Sequence, residues 1–256
     1  MTQAGKYAKE KTGCHIDKGV QSVQPFPKFG PLKNNLGLGL SELRKQLVQD
    51  SGPTYSYVVR SVKMNNDASE FEQHGSGPNF QGDRLTLCTC KHQMRTRKHH
   101  LEWKGTWVAG FTGVQAYEKK NWLFYLAKIE QGYESHTDLW GKMSQKSRDA
   151  KAAHLNFLGD VFMPKEPFPV DDARFSPIRY RMPKIDTHTH RTASDPDAWK
   201  TDIDYIHSIS KRWPSLLAGD PQLTFMWDEP TIYLPGKHCR DYAKYKSLGE
   251  LLRKLK

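Results

Sequence analysis

At 256 residues the chain is long enough for one large domain or two small ones, each with a real apolar interior. Seven tryptophans and eleven tyrosines exclude a disordered protein, and no apolar run of about 18 residues offers a membrane span. The net charge of +11 is spread along the whole chain, which favours nucleic acid as the partner over an anionic membrane or a merely solvated surface.

Residues 1–35 are polar and broken by Gly13, Gly19, Pro25, Pro27, Gly30 and Pro31. They read as an irregular arm that packs through Phe26 and Phe29. A short helix is expected over 42–49, with Ser41 as its N-cap and Gly52-Pro53 ending it. The arm and this helix form a first unit, 1–53, ahead of a main domain over 54–256. Tyr55-Ser-Tyr-Val-Val-Arg60 is β-branched and aromatic and predicts a strand over 55–62. A polar loop follows over 65–82. Further strands are expected over 85–90, 107–112, 122–129 and 222–227, and helices over 135–139, 145–158, 202–211 and 248–255. Five prolines make 159–184 a connection. Strands without regular helical crossovers predict an α+β fold around a curved antiparallel or mixed sheet, and exclude a doubly wound parallel sheet.

Half of the four cysteines stand in Leu85-Thr-Leu-Cys-Thr-Cys-Lys91. On a strand, residues two apart face one side, so Cys88 and Cys90 can reach one metal or one substrate. The competing reading is two small buried hydrophobes. Lys91, Arg95, Arg97 and Lys98, with His92, His99 and His100, follow as a basic run suited to phosphate, or else a solvated loop. Arg179-Tyr180-Arg181 is a second cationic and aromatic patch. Tryptophans at 103, 107, 122 and 140 offer either a base-stacking wall or core. In Asp186-Thr-His-Thr-His190 the alternate histidines His188 and His190 point to one side of an extended chain, with Asp186 placed to orient an imidazole. Two thiols and two imidazoles make a Cys₂His₂ set, so zinc is the expected metal, with iron or cobalt as alternatives. His238-Cys239 is a further contributor. The N-terminus carries no apolar signal core, which predicts a cytoplasmic protein without a membrane partner.

The order Tyr55-Ser-Tyr-Val-Val-Arg60, Leu85-Thr-Leu-Cys-Thr-Cys-Lys91, Gly105-Thr-Trp-Val-Ala-Gly110, Trp122-Leu-Phe-Tyr-Leu-Ala-Lys-Ile129, Asp186-Thr-His-Thr-His190 and Asp228-Glu-Pro-Thr-Ile-Tyr-Leu-Pro235 resembles the nucleotide modification-associated domain 2 family. Gly105-Thr-Trp107 stands where that family has Gly-Asp-Trp. The resemblance implies a PUA/EVE-like curved sheet or small β-barrel with flanking helices. It also implies a role in DNA modification, with double-stranded DNA carrying a modified base, and other proteins of the modification system, as partners. Leu85-Thr-Leu-Cys-Thr-Cys90 is similar to the metal loop of nitrile hydratases, with Leu85 in place of the first cysteine. The sharpest implied activity is therefore hydration of the nitrile of 7-cyano-7-deazaguanine in DNA, by a nitrile hydratase (lyase) or related hydrolase. Cys90, Asp186 and Lys91 are its candidate catalytic residues, Cys88, Cys90, His188 and His190 its candidate ligands, and Arg95, Arg97, Lys98, Arg179 and Arg181 its candidate DNA contacts. The alternative is a non-catalytic reader of a modified base in a restriction-modification complex.

Overall fold

The structure is a computed structural model that describes residues 23–74, 77–153, 160–161, 163–165, 180–181, 207–239 and 241–256. Its frame is a seven-stranded mixed sheet. Strands β1 (Thr54–Val59), β4 (Thr86–Leu87), β5 (Trp107–Thr112), β6 (Asn121–Tyr133), β9 (Leu216–Met226) and β11 (Ala243–Tyr245) lie in the order β11-β1-β5-β6-β9-β4. A short β10 (Tyr233–Leu234) pairs with β6 off that path. The β1–β5 pair is parallel and every other pair in the sheet is antiparallel. The sheet curls into an open half-barrel with few helices around it, an α+β architecture.

Alternation along the strands sorts the core into two faces. On one face Trp107, Ala109 and Phe111 of β5, Leu123 and Leu126 of β6, and Phe225 of β9 pack with two helices. These are α2 (Leu40–Leu47), through Leu43 and Leu47, and α6 (Leu248–Lys254), through Leu248, Leu251 and Leu252. On the other face Tyr55 and Tyr57 of β1, Val108, Phe124, Tyr125 and Leu217 pack with Leu85, Leu87, Met94 and Trp103. Each fully buried large side chain contributes about 1.5–3 kcal/mol, so the two faces supply most of the cohesion.

The expected helix over 42–49 starts earlier. Gly37 N donates to Met226 O (2.8 Å) and Trp227 Nε1 donates to Leu38 O (2.8 Å), so the chain is pinned to β9 until Gly39. Gly39, not Ser41, is then the N-cap. Phe26 stacks on Phe80 (centroids 5.3 Å apart) and meets Phe124 edge-on, whereas Phe29 is exposed. A single helical turn, α1 (Pro31–Asn34), lies between them and α2. Within the expected loop over 65–82 the chain forms part of a hairpin, β2 (Val62–Asn65) with β3 (Glu70–Gln73), whose Phe71 and Gln73 turn inward. The strand expected over 222–227 is the second half of the longer β9. Its two halves are separated by an irregularity opposite Ala127 to Ile129, where Thr224 Oγ1 donates to Asp220 O.

Helix α4 (His136–Lys142) is capped by Ser135, and α5 (Gln145–Ala153) follows. Met163–Pro164 (β7) pairs with Tyr180–Arg181 (β8) inside the proline-rich connection. Of the helix expected over 202–211, a turn at 207–210 lies within the described residues. No helix among the described residues is long and apolar enough to cross a membrane.

Candidate functional site

The strand expected over 85–90 stops after Leu87. The carboxylate of Asp160 takes over as backbone acceptor, receiving Cys88 N (2.7 Å) and also Thr86 Oγ1 (2.8 Å). The chain bends at Thr89 and Cys90, and Lys91 adopts a left-handed conformation (φ 58°, ψ 47°) before α3 (His92–Arg95). The same-face argument for the two cysteines rested on a strand through Cys90, and it does not hold. Cys88 is fully buried in a third apolar cluster with Leu139, Trp140, Met143, Val161, Leu216 and Ala218. Cys90 is half-buried and packs against the Tyr57–Tyr125 face.

Beneath this bend lies a buried ionic group. Lys151 Nζ donates to Asn79 O (3.0 Å), Asn79 Oδ1 (3.1 Å) and Arg84 O (2.9 Å), and burial lowers its pKa to about 8. Burial raises Asp160 to about 6, against the pull of its hydrogen bonds from Cys88 and Thr86 and the charges of Lys151 and Arg95. Desolvation, then the neighbouring Asp160, push the Cys88 thiol well above its ordinary range. Cys88 is thus a protonated core residue at neutral pH.

Arg95 was expected to meet phosphate, but its side chain is fully buried. Its Nε donates to Cys90 O (2.8 Å) and its Nη1 to Ser215 O (2.6 Å), so the guanidinium clamps the cysteine bend to the start of β9. Its Nη2 has no hydrogen-bond partner among the described residues. His136 lies close by, and burial followed by the Arg95 charge holds its pKa at about 3, so the imidazole is neutral.

Around Cys90 the polar groups converge. Tyr125 Oη donates to Tyr57 Oη (3.0 Å), and burial raises the pKa of both phenols. Cys90 packs against the apolar cluster that contains both rings. Tyr125 reaches Tyr57 across β5 because residue 110 is glycine; a Cβ there would sit inside the Tyr125 ring. Lys91 Nζ lies 5.5 Å from the Tyr57 ring centre and donates to Asp241 O (2.9 Å). Nearby, His238 Nε2 and Ser56 Oγ are 2.8 Å apart, and the other ring nitrogen meets Cys239 O at 2.8 Å. Burial, then Lys91, outweigh that second contact and lower His238. The group around Cys90 offers the Lys91 ammonium and the Tyr57 hydroxyl as hydrogen-bond donors, the Tyr125 proton being given to Tyr57.

Lys98, His99 and His100 of the basic run line a separate surface. A cleft of about 160 Å³ is lined by Lys98, His99, His100, Glu134, Lys211, Arg212 and Trp213, with Pro214 and Ser215 as buried wall. A short 3₁₀ helix (His100–Trp103) forms one side. Its His99–Glu102 capping box satisfies the first turn, and it lies against Gly132 of β6, where any Cβ would collide with His100 O. Lys98 Nζ donates to Thr106 Oγ1 (2.7 Å), and burial with the Lys244 charge lowers its pKa. Opposite, Trp213 stacks on His207 with centroids 3.9 Å apart and planes 10° apart. Arg97 is exposed and sits 5.5 Å from the Tyr242 ring.

Asp186, His188, His190 and Arg179 lie outside the described residues, and Arg181 is described only as backbone of β8. Among the described residues no three His, Cys, Asp or Glu side chains gather as a metal site. No family model, no curated protein and no solved structure matches the chain.

Sequence reasoning missed Asp160, Lys151, the Tyr57–Tyr125 pair and the Lys211-Arg212-Trp213 side of the cleft. A lysine inside the alanine-rich 150–153 stretch was the one local signal for the buried ionic group.

Proposed function

We propose that the protein acts on a modified base in DNA, and that Cys90 is its reactive group. What carries this reading is the half-buried Cys90 packed beside the Tyr57–Tyr125 pair, with Lys91 alongside and Arg95 gripping its carbonyl. The curled open sheet is in keeping with the PUA/EVE-like fold that the sequence resemblance implies. The net charge of +11 supplies the attraction to phosphate.

The substrate we assign is 7-cyano-7-deazaguanine. The Cys90 thiol adds across the nitrile: sulfur bonds to carbon, and a proton passes to nitrogen, giving a thioimidate. Lys91 and the Tyr57 hydroxyl, whose oxygen accepts from Tyr125, donate hydrogen bonds to the developing nitrogen charge. Water then adds to the thioimidate carbon and the C–S bond breaks, releasing the amide and restoring the thiol. Asp186, or an imidazole near it, would move the proton of that water. If zinc is held, His188 and His190 with Cys90 are the residues of this chain suited to it, and the ion would supply Lewis acidity. Cys88, enclosed in the third apolar cluster, is left out of that set.

Incubating the protein with DNA that contains 7-cyano-7-deazaguanine, then digesting it, should yield the amide nucleoside by mass spectrometry. Cys90→Ala should lose conversion, and Cys88→Ala should keep most of it. No conversion by the wild type, or full conversion by Cys90→Ala, would overturn the assignment.

A second reading has its own support, since the Trp213 cleft needs no thiol. In that case the protein is a reader, and it would bind the modified DNA at least tenfold more tightly than unmodified DNA while leaving the base unchanged.

A further inference from the structure

The Lys98–Trp213 cleft lies apart from Cys90 but is joined to it through Arg95, which bonds Cys90 O at one end and Ser215 O at the other. Among the described residues its lining holds three cations, Lys98, Lys211 and Arg212, against one carboxylate, Glu134. Among the described residues Arg212 pairs with Glu102, 4.0 Å away with both side chains more than half exposed, which is a weak pair. Lys98 is already committed to Thr106, so Lys211 and Arg212 carry the cationic side of the opening.

The backbone gives a second observation. Lys211 N donates to His207 O (2.8 Å), ending the helical turn, and Lys211 itself has φ 57°. That left-handed position after a helix is where glycine is preferred. A lysine there incurs backbone strain of about 1–2 kcal/mol. Strain of this kind gathers where a side chain is needed for function. The next two residues, Arg212 and Trp213, put a guanidinium and an indole into the same cleft. A flat ring beside two cations at this scale matches a single nucleotide: a phosphate for the charges and a base for the indole.

We propose that this cleft is a nucleotide subsite, taking one phosphate at Lys211 and Arg212 and the attached base against Trp213. Its ligand is a nucleotide from an unpaired stretch of strand, because a base inside a duplex cannot present its face to an indole. The inference rests on the nucleic-acid reading above for the origin of the ligand. It is independent of the reaction at Cys90.

Binding of a dye-labelled octathymidylate, followed by anisotropy at several salt concentrations, tests the subsite. Lys211→Gly removes the charge and suits the local backbone, so it should fold. It should bind at least tenfold more weakly, with the salt slope reduced by about 0.7, the value for one single-strand phosphate contact. Trp213→Leu should weaken binding at least tenfold with the slope unchanged, since stacking releases no counterions. Lys45→Ala, an equal charge loss at an exposed position of α2, should leave affinity within twofold. An unaltered slope in Lys211→Gly overturns the phosphate contact, and unaltered affinity in Trp213→Leu overturns the base contact. Equal losses in Lys211→Gly and Lys45→Ala overturn the subsite in favour of diffuse attraction. The nitrile assay separates the two proposals: absent conversion with cleft-dependent binding removes only the reaction, and conversion with cleft-independent binding removes only the subsite.

Discussion

Two groups of cations contrast, one in the interior and one at the cleft that Ser215 walls. Arg95 and Lys151 are fully buried: Arg95 Nε and Nη1 and Lys151 Nζ donate to carbonyls and an amide oxygen, within the field of Asp160. Lys211 and Arg212 face an open cleft. The residue chemistry is the same, yet inside the protein Arg95 ties down the cysteine bend and Lys151 the Asn79 and Arg84 carbonyls, while the surface pair faces the cleft. Charge content alone therefore says little about binding; the location of each cation's hydrogen-bond partners decides its role.

The comparison breaks if the interior cations prove dispensable. Lys151→Met removes the donor to Asn79 O, Asn79 Oδ1 and Arg84 O and one of the two cations whose field reaches Asp160, and should cost about 3 kcal/mol, read by urea denaturation. Adding Asp160→Asn should recover part of that loss, because the buried carboxylate that lacks its cation is gone and the amide oxygen still accepts from Cys88 N. Gly110→Ala should cost about 1–3 kcal/mol by overpacking, displacing the Tyr125 ring and separating the Tyr57–Tyr125 pair.

The neutral histidine beside Arg95 gives a pH test. The folded pKa of His136, about 3, lies below its ordinary 6.5, so on acidification the unfolded chain takes up the proton first. Its contribution is fully present above pH 6.5 and is lost as pH falls toward 3. His136→Gln should flatten that acid limb. Asp160, raised from 3.8 to about 6, works in the opposite sense: its contribution is present below pH 3.8 and is lost as pH rises through 6. Asp160→Asn should remove that opposing slope. The smallest effect belongs to the surface group. Lys211→Gly should leave stability unchanged or raise it by about 1 kcal/mol, in contrast to Lys151→Met.

The strands that were legible in the sequence are those with continuous β-branched and aromatic runs. Tyr55 to Val59 and Trp122 to Ile129 carry their own signal because both faces of the sheet are buried. The first half of β9 was hidden by Gly219, Asp220 and Pro221, which read as a turn but form the irregularity within a long strand. The early end of β4 was not legible at all, since the group that ends it, Asp160, comes 72 residues after Cys88. The basic run was visible as a run, but its sorting was not. Arg95 turns inward from α3 while Lys98 to His100 reach the cleft, and the partners that separate them come from 214–215. Local composition reports charge. Long-range partners report its use.

The position of β1 has a consequence for synthesis. This strand pairs with β5 along one edge and with β11 along the other, and β11 lies at 243–245. At ribosomal speeds the stretch between β1 and β11 takes roughly 10–40 s to emerge. During that interval Thr54 to Ser56 present an unpaired edge in a segment rich in tyrosine and valine, a template for pairing with another nascent chain. The turn of α6 onto α2 and the closing of β11 onto β1 bring late residues to early ones, so final stabilisation is a late event. Yield on expression should therefore respond to slower synthesis or lower temperature more than to changes in the loops.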